Sequence, residues 1–146
     1  MNRSLCLAVG LAVLAGATAA PGLKEKEDKA DLKKLQGEWK IESWIQHGQP
    51  VPMTATWVFD GEKYTLTMAS NTEEGTITID QKKKPATLDL AITGGNCKGL
   101  DQPGIYKFED DTLVLCFAWP GTPDRPTEFT STAENRRVLV TLKRPK

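Results

Sequence analysis

The chain has a single histidine, His47, and that scarcity removes several chemistries at once. A zinc site needs several histidine or cysteine ligands at suitable spacing, and they are absent. A Ser-His-acid arrangement would have only His47 to work with, and no G-x-S-x-G elbow occurs. No phosphate-cradling loop is present, because Gly94-Gly95-Asn96-Cys97-Lys98-Gly99 neither opens a helical pattern nor ends in Lys-Ser/Thr. Net charge is lacking too, with 19 basic residues against 19 acidic ones. That balance excludes the basic face of a general nucleic-acid or anionic-membrane binder. Acid–base work needs two carboxylates facing one cavity. Asp110 and Asp111 instead fall in a turn, where aspartate bonds its own backbone, and Asp89 lies on the face opposite Leu88 and Leu90. The chain therefore reads as non-catalytic, with neither cofactor nor metal.

Only one long apolar run exists, Leu5 to Gly16, preceded by Arg3 and followed by the small residues Ala17-Thr18-Ala19. This is the pattern of a secretory signal peptide over residues 1–19, too short and too poorly flanked for a retained membrane span. Cys6 lies at the very start of this run and leaves with it. The mature chain is expected to be periplasmic or extracellular, without an integral membrane span. Residues 20–30, rich in Lys and Glu of mixed sign, read as a charged flexible tether, and residues 31–146 as one domain. Asp31 is placed to cap a short helix carrying Leu32 and Leu35 on one side.

After Leu35 no helix-length period remains; the period is two. Trp39, Ile41, Ser43 and Ile45 share one face of a first strand. Further strands are expected over Thr54–Asp60, Lys63–Ala69, Glu74–Asp80, Ala86–Thr93, Gly104–Glu109, Thr112–Ala118 and Arg136–Lys143, with a short extended piece at Thr127–Ser131. Asp60-Gly61 and Asp110-Asp111 supply tight turns, the second aligning Phe108 with Leu113 and Tyr106 with Leu115. About eight short strands in sequential hairpins predict an all-β, antiparallel up-and-down barrel, since closure removes the exposed edges of so large a sheet. The short helix sits at its closed end, with Gly37 turning the corner into the strand that carries Trp39.

Gly37-x-Trp39 after a short helix resembles the lipocalin and calycin signature. The segments Leu35–Lys40, Phe59–Tyr64, Lys84–Leu90, Gly104–Tyr106, Asp111–Phe117 and Arg125–Phe129 together resemble, in order, a family of uncharacterised secreted lipocalin-like proteins abundant in planctomycete bacteria. The resemblance implies the barrel and brings no established activity; ligand binding comes with it only by analogy of fold.

Closing the barrel pairs the first strand with the last. Arg144, in parity with Val138, Val140 and Leu142, is then the cation expected beside Trp39. Arg125 and Glu128 either greet a polar ligand at the rim or pair to pin their loop with Phe129 in the core; the second is the preferred reading. Cys97 and Cys116 either form a disulfide stapling the glycine-rich loop to the Thr112–Ala118 strand or remain two thiols. A small pocket is expected at the end opposite Trp39, bordered by Tyr64, Met68, Tyr106 and Ser43. The function expected is that of a secreted barrel binding a small apolar molecule. The alternative is a structural or protein-interaction module with a filled core. Intact-mass measurement on exported protein is expected to return a chain beginning at Ala20; a mass that includes Leu5–Gly16 would exclude this route of export.

Overall fold

The computed structural model describes residues 29–146. The expected signal peptide and most of the expected tether lie outside the described residues. The chain opens with helix α1 (Ala30–Leu35), six residues long. So short a helix is marginal by itself and is held by what it touches. Its polarity suits the helix dipole, with Asp31 in the first turn and Lys33 and Lys34 in the last. The cap position falls at Lys29, so Asp31 is the second residue of the helix and does not cap. Gln36 leaves the helix with an extended ψ of 144°, and Gly37 follows at φ +97°, in the left-handed region that a side chain resists. Gln36 accepts from the Gly61 N–H at 2.6 Å and donates to the Gly61 carbonyl at 3.0 Å, fastening the corner to a hairpin tip.

Ten strands follow: β1 (Gly37–Gln46), β2 (Gln49–Pro50), β3 (Ala55–Asp60), β4 (Lys63–Met68), β5 (Thr72–Asp80), β6 (Ala86–Gly94), β7 (Asp101–Gln102), β8 (Gly104–Glu109), β9 (Thr112–Ala118) and β10 (Arg137–Lys143). β2 and β7 are two-residue bridges; the other eight run antiparallel in chain order and close where β10 pairs β1. The barrel expected from the alternation is therefore present, with Tyr106 opposite Leu115 and Phe108 opposite Leu113. Thr127–Ser131 forms no strand and belongs to the long connection between β9 and β10.

Two register shifts interrupt the ladders, one where β5 pairs β6 at Glu74 and Gly75 and one in β1. Between Ile41 and Ser43 the register with β10 shifts at a β-bulge, and an extra residue there exchanges the two faces. Trp39 and Ile41 face inward below it. Above it Trp44 and Gln46 stand opposite the buried Val140 and Val138, while Ser43 lies opposite Thr141 on the outside. The inward placement expected for Ser43 and Ile45 is thus corrected.

The floor is built around Trp39, 3% exposed. Its indole N–H donates to the Leu35 carbonyl at 2.7 Å, and the Arg144 guanidinium lies 3.8 Å from its ring centroid. Arg144 also donates to the Lys34 carbonyl at 2.6 Å and to the Glu38 carbonyl at 3.2 Å, so one side chain joins the chain's end to both helix and first strand. A Cβ at Gly37 would lie 3.2 Å from Arg144 Nη1, which makes that glycine a matter of space as well as of φ. Trp39→Ala is expected to cost about 3–5 kcal/mol of unfolding free energy, as core truncations of this size do. Chemical denaturation measures it, and an unchanged midpoint would show that the floor does not hold the barrel together.

Candidate functional site

Aromatic side chains divide the barrel interior. The Trp57 ring stacks on Phe59 at 5.8 Å and on Phe117 at 5.9 Å between centroids. Below them Phe108 meets Trp39 at 6.4 Å and Tyr106 edge-on at 5.9 Å. These rings and the aliphatic side chains between them leave the lower half packed. Above Trp57, at the end opposite α1, the filling stops. A cavity of about 420 Å³ remains there, walled by Trp44, Trp57, Leu66, Met68, Phe117 and Val138. Trp119, 42% exposed, stands at its rim, with His47 at 5.7 Å between ring centroids.

Four amide side chains, Gln46, Asn71, Asn96 and Gln102, and one carboxylate supply the polar part of the lining among the described residues. Gln46 accepts from the Trp44 indole at 3.3 Å, and Gln102 donates to the Ala118 carbonyl at 2.9 Å. Glu73, on β5, is the one charged side chain in the lining among the described residues. The Tyr64 hydroxyl donates to Glu73 Oε1 at 2.8 Å. Gly75 makes this geometry possible: it is the register partner of Tyr64, and a Cβ there would fall 2.6 Å from the Tyr64 ring and on the Ala91 carbonyl. Burial pushes the Glu73 carboxyl up from its ordinary range, against the opposing pull of the Tyr64 hydrogen bond. Burial first, then the charge and hydrogen bond of Glu73, push the Tyr64 phenol up, so it remains a donor. Trp57 carries the one buried side-chain polar atom without a hydrogen-bond partner among the described residues, its indole nitrogen. An unmet buried donor of this kind costs about 1–3 kcal/mol.

The residues singled out in the sequence distribute themselves unevenly around this site. Met68 lines it, and Tyr64 supports it from below through Glu73. Ser43 is outside, as the bulge dictates. The Tyr106 ring is buried, but its hydroxyl donates to Asp31 Oδ2 at 2.7 Å, at the helix end of the barrel, so it does not border this cavity. Gly37, Trp39 and Arg144 form the floor. Arg125 does not pair with Glu128: it grips Asp89 with both terminal nitrogens and donates to the Gly104 carbonyl at 2.9 Å, while Glu128 is exposed. Phe129 is half-buried beneath the Lys107 ammonium at 4.6 Å rather than in the core. Cys97 and Cys116 are both free. Cys97 lines the cavity, whereas Cys116 is buried in β9 with its thiol 3.5 Å from the Thr130 carbonyl, so the disulfide alternative is set aside.

A larger groove of about 570 Å³ lies outside the barrel, along β6 and the loops holding Leu100 and Gly121. The Asp89 carboxylate within it is already committed to Arg125, which leaves the interior cavity as the candidate. Trp44, Gln46, Glu73, Gln102 and Phe117 are its further lining residues. Parity with Ile77 and Ile79 would have found Glu73 had the strand been begun two residues earlier. No sequence signal marks the bulge that turns Trp44 inward. Among the described residues no group of three His, Cys, Asp or Glu side chains is placed to hold a metal ion, and no helix is long and apolar enough to cross a membrane. No protein-family profile, curated protein or solved structure matches the chain.

Because folded Glu73 keeps its proton to higher pH than the unfolded chain, the folded state binds more protons over a window that opens near the ordinary value of 4.5 and closes at the raised one. Stability contributed by the group is complete below that window and is lost as pH rises through it. Glu73→Gln is expected to flatten this part of the stability profile. Urea unfolding across a pH series reads it, and a wild-type slope in the variant would place the carboxylate in open water.

Proposed function

We propose that this chain is an exported lipocalin-like barrel that takes up a small, largely apolar molecule in its mouth. The observation that carries the reading is the cavity above Trp57. Its volume of about 420 Å³ falls in the range of small-molecule pockets, about 300–1,000 Å³, and its walls follow their pattern of aromatic and aliphatic side chains with a few fixed polar groups. Export rests on the sequence of residues 1–19, and the lipocalin-like kinship on the ordered motifs from Leu35 to Phe129.

Titration with an environment-sensitive apolar fluorophore is expected to saturate, with micromolar affinity at best. Met68→Trp, which adds bulk at the mouth without touching the packed lower half, is expected to abolish the signal while the far-ultraviolet spectrum and melting temperature stay near the wild type. Wild-type protein that shows no saturable binding would favour the other reading, a module whose surface rather than interior does the work.

A further inference from the structure

The mouth pairs one carboxylate with an aromatic wall and supplies nothing to balance the charge. Glu73 lines the cavity, its Oε1 held by the Tyr64 hydroxyl at 2.8 Å. No lysine, arginine or histidine is among the lining residues, and none makes an ion pair with Glu73 among the described residues. Trp44, Trp57, Phe117 and Trp119 present four aromatic rings to the same space. A carboxylate withdrawn from water without a counter-charge is costly, and aromatic faces attract cations. The arrangement is complementary to a positive charge carried on an apolar body.

We infer that the ligand of this cavity is a small organic cation, an ammonium on an aromatic or aliphatic body, whose charge meets Glu73 and whose body lies among Trp44, Met68 and Phe117. The inference rests on the ligand-binding reading above and narrows it to a chemical class. A metal ion is not favoured, because Glu73 is the single carboxylate of the lining and no group of three His, Cys, Asp or Glu side chains is placed to hold one among the described residues. An anion is opposed by Glu73 itself. The groups facing the carboxylate are Tyr64 from β4 and Cys97 from the loop after β6, and the phenol stays protonated. Deprotonated Glu73 is therefore the charge a ligand meets, and raising the carboxyl's proton affinity makes that charge dependent on pH.

Calorimetric titration with three ligands of nearly equal size separates the possibilities: phenethylammonium, phenethyl alcohol and hydrocinnamate. At mildly alkaline pH the ammonium is expected to bind about tenfold more tightly than the alcohol, as a partly desolvated charge pair and cation–π contact allow. Hydrocinnamate is expected to bind weakest. Glu73→Gln, which can still accept from Tyr64, should bring ammonium and alcohol to equal affinity. Lowering the pH through the titration of Glu73 should weaken the ammonium alone. Equal binding of alcohol and ammonium to the wild type, or an ammonium preference that survives Glu73→Gln, overturns the inference. Should that variant fail to fold, the pH series decides, and ammonium binding indifferent to acid overturns it equally. If the apolar fluorophore saturates and none of the three probes binds, the cation inference fails and the ligand-binding barrel stands. If neither fluorophore nor probe binds, both fall.

Discussion

The pairing of β1 with β10 turns a meander with two open edges into a barrel, and the clamp around Trp39 is set where that pairing begins. Arg144 touches three separate pieces of chain there: the indole face, the end of α1 and the backbone of Glu38. Nearly all the inward side chains depend on the closure. Val138, Val140 and Leu142 are buried only because β1 covers the edge they would otherwise present. The six-residue helix depends on it as well, since Leu35 is sealed beneath the floor and its carbonyl is taken by Trp39.

Packing and vacancy are separated along the barrel axis. Large rings concentrate in the lower half and at the level of Trp57, where stacking and edge-on contacts fill the cross-section. Above that level the strands carry Met68, Gln46, Glu73 and Gln102, which leave room and bring polar atoms. The same barrel thus supports two demands that conflict in a single layer: dense burial for stability, and an accessible interior where a carboxylate is held without a cation. Tyr64 links the two, its ring in the packed region and its hydroxyl on Glu73.

Most of the architecture was legible because period-two alternation survives along most of the long strands closely enough to assign faces, and because hairpin turns at Asp60-Gly61 and Asp110-Asp111 fix neighbours. Parity along β10 leads to Arg144 rather than Lys143 at the indole face. The mouth was harder to read. Alternation carried through the bulge puts Ser43 inside and Trp44 outside, the reverse of what the backbone does. Tyr106 shares its face with the core, but which end its hydroxyl reaches depends on α1 folding back under the barrel to bring Asp31 there. Arg125 finds Asp89 across 36 residues, a partner no local motif announces. These are long-range facts about the path of the chain, and a single sequence records them only indirectly.

The bulge in β1 gives the mouth an unusual kind of independence. Glu42 is the residue added between Ile41, opposite Leu142, and Ser43, opposite Thr141. Deleting it would set Ile41 and Ser43 side by side against the same two partners, and alternation would run on with Trp44 and Gln46 still inward. What the upper half of the strand presents to the interior is thus set by its pairing with β10 and not by a count of residues from the floor. In a lineage of such barrels, this is a point where the strand can gain or lose one residue while the interior keeps its lining.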